Sequence, residues 1–162
     1  MARLAACLEG LDDEHAAAAA GAREGERLRL ISLAWLVRFG RSIGSGWGDV
    51  QELTHVLDRF GAPLVALRDR FAGIGAYNIA TGKAWTAVNF TRDTSDFVKA
   101  VKDGTLSAGL ASLPNVTPLA GGMVIEASGS LLGGVGVAGA PGGDKDEACV
   151  KAGIDKIADQ LK

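Results

Sequence analysis

The sequence has little of what most metal, haem and nucleic-acid sites are built from. Its two cysteines stand in no CxxC or CxxCH spacing and it has two histidines, so no zinc motif or c-type haem attachment is present. Aromatic residues make up 6% of the chain, and 17 Lys plus Arg are outnumbered by 19 Asp plus Glu. Neither base-stacking surfaces nor a basic face is indicated, so nucleic acid is not an expected partner.

Long apolar runs are also missing. No stretch of eighteen apolar residues occurs, so we expect no membrane span and no membrane partner. A secretory leader needs an uninterrupted apolar segment near the N-terminus, and this stretch is interrupted by the acidic residues Glu9, Asp12, Asp13 and Glu14. These features predict a cytoplasmic protein in which Cys7 and Cys149 are unpaired thiols.

What the chain has in excess is glycine, with 23 residues, beside an ordinary 48% of hydrophobic residues. The glycines imply tight turns and close backbone packing. Residues 1–25 are alanine-rich and offer few large side chains to bury, so we interpret them as an N-terminal extension. Residues 26–162 are interpreted as one domain, which begins with a largely buried helix over 26–40.

From Glu52 onward the pattern alternates between strand and helix periods. It predicts, in order, a hairpin of strands 53–57 and 64–68, a helix over 74–90, a short helix from Asp93 or Thr94 to Gly104, a loop over 105–120, a hairpin of strands 123–127 and 131–140, and a last helix from near Asp144. Strands paired as hairpins favour an antiparallel sheet with helices packed on it over a parallel doubly wound sheet.

Several stretches, taken together, resemble the GlcG/HbpS family from about Glu52 to Lys162. They are Val56-Leu57-Asp58 with Leu64-Val65-Ala66-Leu67-Arg68, the helix motif GKAWTAVNF from Gly82 with Thr94-Ser95 after it, the strand entry Gly121-Gly122-Met123-Val124-Ile125, and GGVGVAGA from Gly133 followed by Asp146-Glu147 and Ala152-Gly153. The order and spacing of the set are specific, although each motif alone is weak.

The resemblance implies a profilin-like α/β (α+β) fold, with a five-stranded antiparallel sheet flanked by helices. It also implies a homo-oligomer, and haem as a candidate cofactor, since some members bind haem. In PduO-type members a histidine on the first helix ligates haem, whereas the segment from Leu28 to Phe39 contains none.

A cationic niche is the candidate ligand site. Lys83 and Thr86 are three residues apart and share a helix face, and the backbone N–H groups of two adjacent glycines could add donors for a carboxylate or phosphate. The predicted ligand-binding residues are Arg68, Lys83, Thr86, Gly121 and Gly122. Alternatively, Lys83 and Arg68 are surface charges that pair with Asp58 or Asp69.

Other candidates have simpler explanations. Gly134-x-Gly136-x-x-Gly139 matches a dinucleotide fingerprint by letter, but no strand can follow the last helix, so close packing explains it better. His55, Met123 and Cys149 are either haem ligands or packed side chains. The acidic residues Asp144, Asp146 and Glu147 either chelate a metal or stabilise a helix start.

Three functions remain open. The first is a binding protein for haem, another tetrapyrrole or a small anionic ligand. The second is an enzyme on a small carboxylated metabolite, in which Arg68 grips the carboxylate and Lys83 acts as acid, base or imine former. The third is a partner-binding accessory that uses the alanine-rich N-terminus. No catalytic residue and no metal ligand are assigned.

Overall fold

The computed structural model describes residues 53–68 and 72–161. The predicted helix over 26–40, the alanine-rich extension over 1–25, His15 and Cys7 therefore lie outside the described residues.

The described elements follow the predicted order closely. They are β1 Leu53–Asp58, β2 Pro63–Arg68, α1 Ala76–Phe90, α2 Thr94–Lys102, β3 Gly122–Ala127, β4 Ser130–Ala138 and α3 Gly143–Ile157, with short 3-10 helices at Ala108–Ser112 and Ala158–Gln160. The first 3-10 helix falls in the predicted loop over 105–120. Its start is capped by the Ser107 hydroxyl, which accepts a hydrogen bond from the Gly109 N–H.

The two hairpins join into one antiparallel sheet of order β2-β1-β4-β3, because β1 pairs with β4. Leu53 lies opposite Ala138 and His55 opposite Gly136 in that pairing. The prediction of a mixed α/β fold with a helix-covered antiparallel sheet is therefore confirmed.

The number of strands differs from the prediction, since the sheet has four strands within the described residues and five were expected. The outer edge of β3 shows why no strand pairs there. The Thr94 hydroxyl accepts a hydrogen bond from the Gly122 N–H at 2.9 Å and donates to its carbonyl, and Asp93 Oδ1 accepts from the Val124 N–H at 3.0 Å. Side chains at the start of α2 thus satisfy backbone groups that a fifth strand would otherwise pair.

Helix α1 packs directly on one face of the sheet, where the glycines of β4 allow a close approach. A Cβ on Gly136 would lie 2.1 Å from the carbonyl oxygen of Ala80, and one on Gly134 would lie 3.0 Å from that of Ala84. Real Cβ atoms do not come as close as the first distance, so β4 has to carry glycine at position 136. The structure thus supports close packing as the reason for the glycine-rich strand.

Helix α3 covers the opposite face. Val135 and Val137 of β4 are fully buried there against Val150 and Cys149 of α3, with Ile125 of β3 beside them. Burying a side chain of this size contributes about 1.5–3 kcal/mol. Both helices begin near the end of β4, since Ala76 of α1 packs in one cluster with Ala138 and Asp146 of α3 accepts from the Ala140 N–H.

No helix in residues 53–68 and 72–161 is both long enough and apolar enough to span a membrane.

Candidate functional site

Lys83 is buried in the middle of α1, with 2% of its surface exposed. Its ammonium group donates to Asp146 Oδ2 at 2.6 Å and to the Val137 carbonyl at 2.8 Å. A charge is tolerated at such a depth only when it is paired and hydrogen-bonded. The alternative in which Lys83 is a surface charge paired with Asp58 or Asp69 is therefore wrong for Lys83, whose partner is on α3.

Asp146 completes this buried pair. Its second oxygen, Oδ1, accepts from the Ala140 N–H at 3.1 Å, so one carboxylate links α1, the end of β4 and the first turn of α3. Burial raises the pKa of the Asp146 carboxyl above its ordinary value, and the hydrogen bond and charge of Lys83 oppose that rise.

Two of the predicted glycines lie directly beside Lys83. A Cβ on Gly121 would lie 2.9 Å from the Lys83 Nζ and 2.6 Å from the Asp146 Cβ, and the Gly121 backbone has φ +109°. A Cβ on Gly122 would lie 2.4 Å from the Lys83 carbonyl oxygen. Glycine is thus needed at both positions for β3 to reach α1, and the predicted closeness of Lys83 to the paired glycines is observed.

Thr86 and Arg68 make other contacts. The Thr86 hydroxyl is buried, donates to the Gly82 carbonyl and accepts from the Thr117 N–H at 2.8 Å. Arg68 is exposed at the end of β2, where it donates to the Ala72 carbonyl at 2.9 Å. The structure therefore brings Lys83, Gly121 and Gly122 together and leaves Arg68 apart, so ligand binding by this set stays a prediction.

A cavity of about 870 Å³ lies over the Lys83–Asp146 pair. Its walls come from the start of α1, from α2, from the loop over 118–120, from the end of β4 and from the start of α3. Most of the lining is small or apolar, with Lys102 and Ser95 on α2 and Asp144 on α3 as further polar members. The Ser95 hydroxyl donates to Glu147 Oε1 at 2.9 Å.

The other candidates are placed away from this cavity. His55 is buried on β1, where its Nδ1 is hydrogen-bonded to the Thr81 hydroxyl and its ring lies 5.0 Å from that of Tyr77. Burial lowers the pKa of His55. Met123 and Cys149 belong to the core between the sheet and α3.

The acidic residues at the start of α3 form no metal centre. Within the part of the chain that the structure describes, no group of three His, Cys, Asp or Glu side chains could hold a metal ion. Asp144 and Asp146 lie in the first turn of α3, where negative charge suits the helix dipole.

Sequence reasoning missed two features of this site. It interpreted Asp146 as a metal ligand or a helix-start residue and not as a partner of Lys83, although a lysine three residues after Ala80 on the buried alanine face of α1 requires a buried partner. It also assigned no role to Ser95, Val98 and Lys102, whose spacing places them on one face of α2 toward the cavity.

Comparison with known proteins gave one family match and several structural ones. The family of haem-degrading HbpS-like proteins matches residues 48–155. A double mutant of HbpS from Streptomyces reticuli is 34% identical, with 78% of this chain and 84% of that chain covered and a TM-score of 0.68. No curated protein matches the sequence.

Two further solved structures share the fold. A PduOC:heme complex is 26% identical, with 76% of this chain and 90% of that chain covered and a TM-score of 0.69. The Klebsiella pneumoniae protein ORFY is 22% identical, with 78% and 88% covered and a TM-score of 0.70, which shows the fold alone.

Proposed function

This chain belongs to the family of HbpS-like haem-degrading proteins, and we propose from that premise that it is a haem-binding protein whose ligand occupies the cavity over the Lys83–Asp146 pair. The observation that carries the proposal is the cavity itself. Its volume of about 870 Å³ falls within the range of roughly 300–1,000 Å³ typical of small-molecule sites. The PduOC:heme complex, which has the same fold, supports haem as the ligand class.

The lining suits a flat apolar ring that carries carboxylates. Ile79, Val98, Pro118 and Leu119 offer apolar surface, and Ile79 and Leu119 are partly exposed at 39% and 51%. Burial of apolar ligand surface against such walls is favourable at about 25 cal/mol per Å². Lys102 is exposed among the lining residues and can meet a carboxylate.

The helix ends add to this polarity. The first turns of α1 and α3 both line the cavity; that of α3 carries Asp144 and Asp146, whereas that of α1 has no acidic residue and is the end that favours an anion. The unpaired N–H groups of a helix start favour a negative group. When bound, haem would supply a redox-active iron. The described residues would enclose the ring, exclude water from one side and hold the carboxylates.

Haemin titration of the full chain tests the proposal. Binding should shift and sharpen the Soret band with saturation at one haemin per chain. Val98→Trp, which places a large ring in the cavity, should weaken binding at least tenfold. Lys99→Trp is the matched control, since Lys99 is exposed on the same helix and does not line the cavity. A flat spectrum, or equal affinity in both variants, would contradict the proposal.

We keep Lys83, Gly121 and Gly122 as predicted ligand-binding residues, of which Lys83 lines the cavity while Gly121 and Gly122 pack against Lys83 without lining it. An ammonium group has three N–H donors, and Lys83 uses two of them on Val137 and Asp146. A third donor can serve an oxygen of the ligand. Roles in ligand binding for Thr86 and Arg68 stay predictions, and neither residue lines the cavity.

The enzyme alternative, in which Lys83 and Arg68 act on a small carboxylated metabolite, has less support. Lys83 is engaged with a buried carboxylate, and Arg68 lies at the outer edge of the sheet. Borohydride trapping with a panel of keto acids separates the two functions. Labelling of Lys83 would favour the enzyme, while haemin binding without labelling favours the binding protein.

Assembly and location belong to the same proposal. We propose a profilin-like homo-oligomer, as the resemblance to the family implies, and a cytoplasmic location, as the early acidic residues of the sequence indicate. The nearly complete exposure of Ile74, at 98%, and of Phe60, at 80%, supports contacts between copies. Light scattering on the full chain and on a chain lacking residues 1–25 tests assembly, and an unchanged oligomer after the deletion would remove the accessory role of the extension.

A further inference from the structure

The described residues include four side chains of the kinds that hold haem iron in proteins. They are one histidine, one tyrosine, one methionine and one cysteine: His55, Tyr77, Met123 and Cys149. None of the four lines the cavity.

Each of the four is placed in another part of the fold. His55 is 1% exposed, is hydrogen-bonded to Thr81 and packs beside the Tyr77 ring. Met123 and Cys149 pack in the core on the α3 side of the sheet. The position of His55 between β1 and α1 is fixed by the register of β1 with β4, so reaching the cavity would require the strand pairing to shift.

The cavity offers a different set of groups. Its basic side chains are Lys83, whose ammonium is neutralised by Asp146, and Lys102, which is exposed on α2. The remainder of the lining is mostly aliphatic or glycine. These groups can hold ring faces and carboxylates.

We infer that the cavity recognises the organic ring and its carboxylates and not the iron, so that a metal-free porphyrin binds as tightly as haem. This inference rests on the proposed function, since it concerns the same cavity. A coordinate bond to a side chain would instead make the metal-free ligand bind much more weakly, because each tenfold in affinity corresponds to about 1.4 kcal/mol.

The test is a pair of titrations of the full chain, one with haemin and one with protoporphyrin IX, in which binding is measured by the quenching of tryptophan fluorescence. We expect the two dissociation constants to agree within about threefold. Val98→Trp should weaken both ligands by the same factor. Lys102→Ala should also weaken both equally, because its contact is to a carboxylate that both ligands carry.

Two further measurements examine the iron directly. His15→Ala should leave both dissociation constants unchanged. Added imidazole should shift the Soret band of the haemin complex without releasing haemin, since none of the four described side chains that could hold the iron lines the cavity.

The outcomes are distinct. If haemin binds and protoporphyrin IX binds more than tenfold more weakly, the inference is overturned and the proposed function stands. A loss confined to haemin in Lys102→Ala or His15→Ala would identify an iron ligand and also overturn it. Failure of both ligands to bind would remove the proposed function together with the inference.

Discussion

Replacing Lys83 by methionine tests the central contact of the structure. Methionine keeps an unbranched side chain of similar length but cannot pair with Asp146, whose carboxylate would remain buried with only the Ala140 N–H as partner. Breaking a buried ion pair by removing one partner costs about 3–5 kcal/mol. For a chain of this size each kcal/mol lowers Tm by roughly 2–4 °C, so we expect a fall of roughly 6–20 °C.

An exposed ion pair in the same protein provides the control. Lys151 and Asp155 are 3.1 Å apart at i, i+4 on α3, with side chains 64% and 61% exposed. Lys151→Met should therefore cost only about 0.3–0.5 kcal/mol. Urea unfolding of both variants, monitored by tryptophan fluorescence, measures the difference between their free energies of unfolding.

The pH dependence of the variant gives an independent check. Loss of Lys83 removes the hydrogen bond and the charge that lower the pKa of Asp146, so burial raises that pKa further. A carboxyl whose pKa is higher in the folded than in the unfolded chain destabilises the fold as pH rises through that interval. The penalty of Lys83→Met should then shrink on acidification, and Lys83→Met combined with Asp146→Asn should recover much of it at neutral pH. A Lys83→Met penalty equal to that of Lys151→Met, or one independent of pH, would refute the reasoning.

Three further predictions concern stability. Because burial lowers the pKa of His55, the free energy of unfolding should be highest at pH values above 6.5, the ordinary pKa of histidine, and should fall as the pH drops below that value. In His55→Gln, the urea midpoint should depend less on pH over this range. Gly136→Ala should cost about 1–3 kcal/mol, because its Cβ would meet the α1 backbone, whereas Gly73→Ala, with open space around it, should leave Tm within a few degrees; equal effects in calorimetry would argue against the close packing. Thr94→Val should cost about 1–3 kcal/mol by leaving the Gly122 N–H without its acceptor, and unchanged amide exchange at Gly122 would contradict that account.

Most of the described fold could be predicted because its signals are local. The alternation from Leu53 and the glycines near each turn predict both hairpins, and the predicted bounds of α1 and α2 differ from the observed ones by about two residues. That both hairpins belong to one antiparallel sheet was predicted through the resemblance to a family of known fold, but the pairing of β1 with β4 is a long-range contact that was not predicted. That the described residues place no fifth strand beside β3 could not be predicted, because it depends on where Asp93 and Thr94 point.

The candidate site was predicted only in part, for a related reason. The closeness of Lys83 to Gly121 was predicted from two separate stretches that both carry the family resemblance, the helix motif from Gly82 and the strand entry from Gly121. The partner of Lys83 is 63 residues further along the chain, and no periodicity links the two positions. Arg68 was grouped with Lys83 because β2 and α1 adjoin in sequence, but two strands of the sheet separate β2 from β3, at whose start Gly121 and Gly122 lie.

The sequence by itself determined which segments form strands and helices and which faces of them are apolar, since these depend on the residue types within a few positions of each other. Only the tertiary structure decided that Lys83 is buried, that Asp146 neutralises it and that a cavity opens above the pair. Those properties depend on how the described helices and strands are placed in space, where the free energy of a charge is determined by neighbours that are distant in the chain.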